Sequence, residues 1–428
     1  MPAPTEDLPT RLRGLDAASH DYATQFVEIL LAGARERATS DVHLQPTSQG
    51  LAIRWRIDGV LHPLGEFPRG QAADVVTRLK VLAGLLTYKT DVPQEGRIAA
   101  AGDCEMRVST FPTLYGERAV VRLFVAERQF LSVADLRLPS EIELQLSRLL
   151  DETSGAILIT GPAGSGKTTT AYACLRHIAA HWHGQRSIVS LEDPIEMALQ
   201  GVAQSQVNAA AGFDLPTGLR SLMRQDPEVI LVGEIRDAET AATAFQASLT
   251  GHLVMSTFHA GSAASGLARV IDLGIEPYLV RSGIRAVLHQ RLVRRLCECA
   301  RSASEGTAGA TAGLSSNSGG GVSSLLISDP FLGLPIRSAR IAAGCPACSQ
   351  TGYRGRLVLA ELLPPLEGEL GRAVLARSDV RELHRHAVAG GMTTIFQRAC
   401  QVAESGQTDP AEIRRVVGFN TGSAGSVE

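Results

Sequence analysis

One octapeptide limits what this chain can fold into more than any other feature. Gly161-Pro162-Ala163-Gly164-Ser165-Gly166-Lys167-Thr168 fits G-x-x-x-x-G-K-[ST] and lies between an apolar run, Ala156–Thr160, and a segment of helical composition, Thr168–Ala180. A strand, a glycine-rich turn and a helix start, in that order, make a phosphate cradle: backbone N–H groups wrap the anion and the helix N-terminus adds a favourable field. The spacing predicts that Lys167 reaches the β- and γ-phosphates of a nucleotide, that Thr168 holds Mg²⁺, and that Gly161 through Thr169 line the site. Of 41 basic residues only Lys80, Lys89 and Lys167 are lysines. In so arginine-biased a chain, a lysine inside this motif stands where a compact ammonium is needed.

The surroundings of the motif predict an α/β domain with a mainly parallel sheet. Ser187–Leu191, Val229–Val232 and Leu253–Thr257 are further short apolar runs, each followed by polar or glycine punctuation and helical stretches. Turnover needs more than binding, and two of these runs deliver carboxylates where open α/β sheets place their ligands. Val229–Val232 leads to Glu234, and Ser187–Leu191 leads to the cluster Glu192-Asp193-Pro194-Ile195-Glu196. His252 and His259 flank the run 253–257 and are candidates to report phosphate state.

Residues 1–19 are expected to form a loose tail. Residues 20–130 are expected to form a small α+β domain, with a helix over 21–38, an alternating strand from Leu51 to Ile57, and a turn at Asp58-Gly59. Met106–Ser109 and Ala119–Phe124 read as two strands around a turn at Leu114–Gly116. Residues 131–428 form the α/β domain. Within it, 302–323 are too poor in apolar residues to pack and read as a disordered insert, and 363–428 read as helical. Asp409 with Pro410 and Glu412 predicts a capped helix start of capping-box type.

With 41 basic and 44 acidic residues there is no global field for nucleic acid or anionic lipid. No apolar run approaches the roughly 18 residues a membrane span needs. Seven cysteines, few and odd in number, predict a soluble protein of a reducing, cytoplasmic compartment.

Taken together, the motifs resemble those of a known family. The phosphate loop is followed by Glu192–Glu196, then by Leu222–Asp237 (LMRQDPEVILVGEIRD), Thr250–Val254 (TGHLV) and Gln290–Arg294 (QRLVR). This series is similar to the secretion ATPases of type II secretion and type IV pilus assembly (GspE/PilB type). The resemblance covers about residues 20–420 and includes Ser40–His43, Arg56–Gly59, Pro93–Arg97 and Arg107 through Arg122. It implies a RecA-like motor domain behind a PAS-like domain, acting as a homohexamer on the cytoplasmic side of the inner membrane. It further implies membrane-platform and pilus or secretion partners. Residue by residue, it implies Lys167 and Thr168 as the nucleotide box, Glu196 as general base and Glu234 as the metal-and-water glutamate. His252 and His259 would form the histidine box, and Arg107 and Arg122 would be cations for the phosphates. The short stretch before residue 20 departs from relatives that carry a further N-terminal domain, which puts partner recruitment in question. Phe258, where the family more often has leucine, reads as a packing change.

Cys345-Pro-Ala-Cys348 followed by Thr351–Gly355 resembles one arm of the family's Cys₄ zinc module, over 291–362. The other arm, Cys297-Glu298-Cys299, is one residue shorter than expected. Four thiolates in two pairs suit tetrahedral Zn²⁺; free thiols are the alternative. Cys104, Cys174 and Cys400 read as core filling. The resulting expectation is an ATP-driven secretion or pilus-assembly motor. A retraction-type motor and an ATP-gated scaffold with little turnover are the alternatives. A helicase is disfavoured, since aromatics are 4% and no basic stripe is evident.

Overall fold

Between residues 51 and 57, Leu51, Ile53 and Trp55 are buried while Arg54 is exposed, the period-2 pattern of a strand with one covered face. The structure, a computed structural model, describes residues 8–70, 74–98, 104–125, 130–303 and 331–418. The chain divides into two compact units, Met1–Arg128 and Gln129–Glu428.

The first unit runs α1 (Leu8–Arg13), α2 (Tyr22–Glu36), β1 (Asp41–Pro46), β2 (Leu51–Ile57), β3 (Val60–Phe67), α3 (Val75–Leu82), β4 (Gln94–Ile98), β5 (Cys104–Thr113) and β6 (Gly116–Val125). Its strands form one antiparallel sheet in the order β3-β2-β1-β6-β5-β4. Asp58 and Gly59 both take positive φ, the conformation a two-residue hairpin turn with right-handed strands demands. Phe26, Leu30 and Ala34 of α2 pack on Val42, Ile53, Trp55, Val108 and Val121. The expected loose tail is corrected from Leu8 onward. Leu8 and Leu12, one helical turn apart, bury into this core, and Gly33 on α2 gives Leu8 room.

The second unit contains α4 (Ser140–Leu149), β7 (Gly155–Thr160), α5 (Lys167–His181), β8 (Ile188–Glu192), β9 (Ala203–Gln206), α6 (Leu215–Leu222), β10 (Val229–Glu234), α7 (Ala238–Leu249) and β11 (Leu253–Phe258). It continues with α8 (Ala263–Asp272), α9 (Pro277–Gly283), β12 (Ile284–Leu296), β13 (Arg301–Ser302), β14 (Arg340–Ile341), β15 (Tyr353–Leu362), α10 (Gly368–Leu375), α11 (Val380–Ala389), α12 (Ile395–Glu404) and α13 (Pro410–Val417). The main sheet has the order β15-β12-β7-β11-β10-β8-β9, parallel throughout except for β15 at the edge. Both faces are covered, which is why its strands are apolar without alternation. Ile230 and Val232 join one core, and their neighbours Val229 and Leu231 join the core on the opposite face.

The chain around the insert is packed at its near edge: Ser302 is in β13 and Ala303 is buried. The remainder of 302–323 lies outside the described residues. At the last helix, Asp409 Oδ1 accepts the Glu412 N–H at 2.7 Å as expected of a cap. The reciprocal half of the capping box is corrected: the fully buried Glu412 carboxylate instead takes Arg294 and Arg415. Two nearby guanidiniums outcompete one backbone N–H.

Glu361 on β15 is the junction of this unit. Its Oε1 accepts the Ala263 N–H at 2.8 Å and its Oε2 the Ile395 N–H at 2.9 Å, so one buried carboxylate satisfies the first turns of α8 and α12. Glu361→Gln turns one acceptor into a donor facing an N–H. Unfolding of the variant in urea is expected to show a loss of about 2–4 kcal/mol.

Candidate active site

The phosphate loop spans the turn from β7 to α5, at the C-terminal edge of the parallel strands. Gly166 has φ +86°, and a Cβ on Gly161 would sit 2.5 Å from the carbonyl oxygen of Gln290, so both positions need glycine. The loop is braced from behind by β12. Gln290 Nε2 donates to the Ser165 carbonyl at 2.7 Å, and its Oε1 accepts from Thr170 Oγ1 at 2.9 Å. Lys167 Nζ donates to the carbonyls of Gly161 and Pro162 at 3.1 and 3.0 Å, arching over the loop. Burial holds its ammonium below the usual lysine range, and the nearby Glu234 and Glu196 carboxylates offset part of that effect. Ser165 Oγ is buried with no hydrogen-bond partner among the described residues.

Two carboxylates meet this loop. Thr168 Oγ1 lies 3.5 Å from Glu196 Oε1. Glu234 comes from the end of β10, where a register shift beside Gly233 turns it toward the loop. Arg236 grips Glu234 Oε2 at 2.8 and 3.0 Å, and His259 Nε2 stands 3.4 Å from Oε1. The C-terminal edge of the parallel strands therefore carries Lys167, Thr168, Glu196, Glu234 and His259.

His252 is not among them. It precedes β11, its Nδ1 is 3.0 Å from the Ala247 carbonyl oxygen, and its own carbonyl accepts the Gly155 N–H at the far edge of the sheet. Seven residue steps along an extended strand separate it from His259, about 23 Å at 3.3 Å per residue. The expected pairing of the two histidines in one site is corrected on that ground.

Arg107 and Arg122 lie in the first unit. They are direct cross-strand partners on β5 and β6, so both stand on one face. The same row continues through Arg97 on one side and through Asp41 and Arg56 on the other. Arg122 Nε bonds Asp41 Oδ1 at 2.9 Å, and its side chain is 64% exposed.

The sequence did not show several supporting roles. Glu192 is buried, taking Ser190 Oγ at 2.6 Å and Gln204 Nε2 at 3.1 Å on Oε1 and Tyr172 on Oε2. His289 Nδ1 is 3.2 Å from Thr160 Oγ1 at the base of the loop, and burial pushes it down to about 3. Gln290 was visible only as the first letter of a motif, with nothing in the spacing to show that it braces the loop.

Despite the short arm, all four cysteines converge at the end of β12. The Sγ atoms of Cys297, Cys299, Cys345 and Cys348 lie within 4.8 Å of one another. The separations Cys297–Cys345, Cys299–Cys348 and Cys345–Cys348 are 3.8, 3.9 and 3.6 Å. A tetrahedron with about 2.3 Å metal–sulfur bonds has edges of roughly 3.8 Å, so the set fits Zn²⁺. Burial opposes ionisation of Cys348, but the N–H groups of Cys345 and Gly352 aimed at its Sγ, with the neighbouring Cys345 and Cys299 thiols, outweigh it and pull the thiol below its ordinary range. Cys174 and Cys400 are buried in the core, as expected; the side chain of Cys104 lies outside the described residues.

Comparison with known proteins decides the family. Residues 16–415 match the family model described as type II/IV secretion system protein. The chain belongs to that family. It is 39% identical over 415 residues to type II secretion system protein E of Pectobacterium carotovorum subsp. carotovorum, covering 96% of this chain and 79% of that protein. It is 36% identical over 404 residues to the type IV pilus assembly ATPase TfpB of Acinetobacter baylyi, covering 94% of this chain and 66% of that one. In fold it is similar to the pilus retraction motor PilT with bound ADP, with a TM-score of 0.58 and 22% identity, covering 90% of this chain and 95% of that chain. The Legionella pneumophila ATPase DotB gives 0.62 and 19%, with 91% and 95% covered. No helix among the described residues is long and apolar enough to cross a membrane.

Proposed function

We propose that this member of the family is a mechanochemical ATP hydrolase that powers protein secretion or the assembly of a pilus or pseudopilus. In this reading it works as a homohexamer on the cytoplasmic side of the inner membrane, through a membrane-platform partner and without nucleic acid. The observation that carries the reading is the meeting of Lys167, Thr168, Glu196 and Glu234 at the C-terminal edge of the parallel strands. Lys167 binds the β- and γ-phosphates, and Glu196 takes the proton of the attacking water. Glu234, held by Arg236 and His259, orders the polar groups beside the γ-phosphoryl. Thr168 and Glu234 are the groups that would hold Mg²⁺, which when bound neutralises phosphate charge.

Further cations come from Arg107 and Arg122. The phosphate site itself offers one lysine, and charge developing on the transferred group calls for more. Arg122→Ala is expected to bind ATP within a few fold of wild type and to lose roughly 10³-fold in turnover. The same phosphate-release assay tests assembly, because wild-type activity per chain should rise with protein concentration. Wild-type turnover in Arg122→Ala, or activity per chain flat across concentrations, would count against the reading.

The four cysteines would hold one Zn²⁺, which would tie the end of β12 to the 345–348 turn. Protein purified without chelator is expected to carry roughly one zinc ion per chain, and Cys345→Ser less than about a tenth of that. Elemental analysis finding no zinc in the wild type would favour four free thiols.

A further inference from the structure

The loop that carries Glu196 is shaped by side chains rather than by a backbone ladder. The Ile195 N–H donates to Gln206 Oε1 at 3.2 Å, the Leu199 N–H to Gln204 Oε1 at 2.6 Å, and the Glu196 N–H to the Tyr172 hydroxyl at 3.2 Å. Tyr172 and Glu192 are both nearly inaccessible to solvent, at 2% and 3% exposure, so water cannot replace a lost partner there.

We propose that Tyr172 is a positioning residue for turnover: its hydroxyl joins the Glu192 carboxylate to the Glu196 backbone and so sets where the Glu196 carboxylate stands. The inference rests on the reading of Glu196 as the general base. Thr168 and Tyr172 are four residues apart on α5, one above the other on the same helix face. That face holds Glu196 at two points, with Thr168 Oγ1 3.5 Å from its carboxylate and the Tyr172 hydroxyl on its N–H. Four helical residues rise about 6 Å, close to the reach of a glutamate from its N–H to its carboxylate.

The hydroxyl has one proton and can serve Glu196 only as an acceptor. Glu192 enforces that orientation. Its Oε1 is taken by Ser190 and Gln204, so Oε2 is left to accept the tyrosine proton. The lone pairs of the hydroxyl then face the Glu196 N–H. Burial and the adjacent Glu192 carboxylate also raise the Tyr172 hydroxyl far above its ordinary range, so it remains a donor at any working pH.

The test is a double-mutant cycle. Tyr172→Phe removes the hydroxyl and keeps the ring. It is expected to bind ADP and to show a KM for ATP within about threefold of wild type, while kcat falls by ~10–100-fold, the cost of a slightly displaced catalytic group. In a Glu196→Gln background the same change should lower the residual rate by less than about twofold, because the group it positions is already disabled. Glu192→Gln should behave alike, since its amide would turn the hydroxyl proton toward the Glu196 N–H; it carries the test if Tyr172→Phe does not bind ADP. An equal fall of kcat in both backgrounds, or wild-type kcat with wild-type ADP binding in Tyr172→Phe, overturns the proposal. A different result marks failure of the parent reading: Glu196→Gln turning over ATP like the wild type.

Discussion

Lys167→Ala is expected to lose ATP binding and at least ~10³-fold in turnover, the largest effect of any single substitution in this chain. The ammonium is the one side-chain cation of the phosphate loop, held on the carbonyls of Gly161 and Pro162. Among the described residues of the second unit, the cations beside the loop are engaged elsewhere. Arg236 is committed to Glu234, and Arg291 is tied to the carbonyls of Val416 and Gly261 at 2.5 and 3.2 Å. Lys167→Arg should not rescue, because a planar fork does not fit a buried space shaped for a point charge. Nucleotide titration and phosphate release, with a thermal melt to show that the apo variant is folded, make the check. Retained ATP affinity in a folded Lys167→Ala protein would remove the loop from the mechanism.

How far the sequence revealed this site depends on which interactions are local. The phosphate loop needs only eight consecutive residues and the elements on either side, so β7 and α5 were legible from the run 156–160 and the stretch after Lys167. The buried strands β10 and β11 were legible for the same reason, as short apolar runs. The long strand β12 was not: IRAVLHQRLVRRL mixes arginines among apolar residues. Those arginines have partners distant in sequence, such as Glu412 for Arg294, so the segment's polarity misled. Leu8 and Leu12 were hidden by charged and proline-rich neighbours, although their spacing was helical. The fate of His252 could have been foreseen. Residues flanking one strand lie at its opposite ends, and in a parallel sheet only the C-terminal edge faces the phosphate loop. The link between Tyr172 and Glu192 was not foreseeable, since nothing local states that this face of α5 looks onto the end of β8.

Glu196→Gln and Glu234→Gln should separate into two kinds of defect. Glu196 touches the loop through Thr168 and has its backbone fixed by Tyr172. Its amide replacement keeps size and the Thr168 contact but cannot accept the proton of water. Expected is ATP affinity near wild type with kcat lowered by ~10²-fold or more. Glu234 has a different environment. Arg236 and His259 both face it, and of the two carboxylates it does more to favour the charged form of Lys167. Its neutral variant leaves Arg236 an uncharged, weaker acceptor and weakens support for the lysine, so both binding and turnover should fall and the KM for ATP should rise several-fold. Steady-state kinetics on the two variants, with ATP binding measured separately, reads the difference. If Glu196→Gln raised KM and kept kcat while Glu234→Gln lost kcat alone, the two carboxylates would exchange roles, with the base on β10 and the metal-ordering group on the loop after β8.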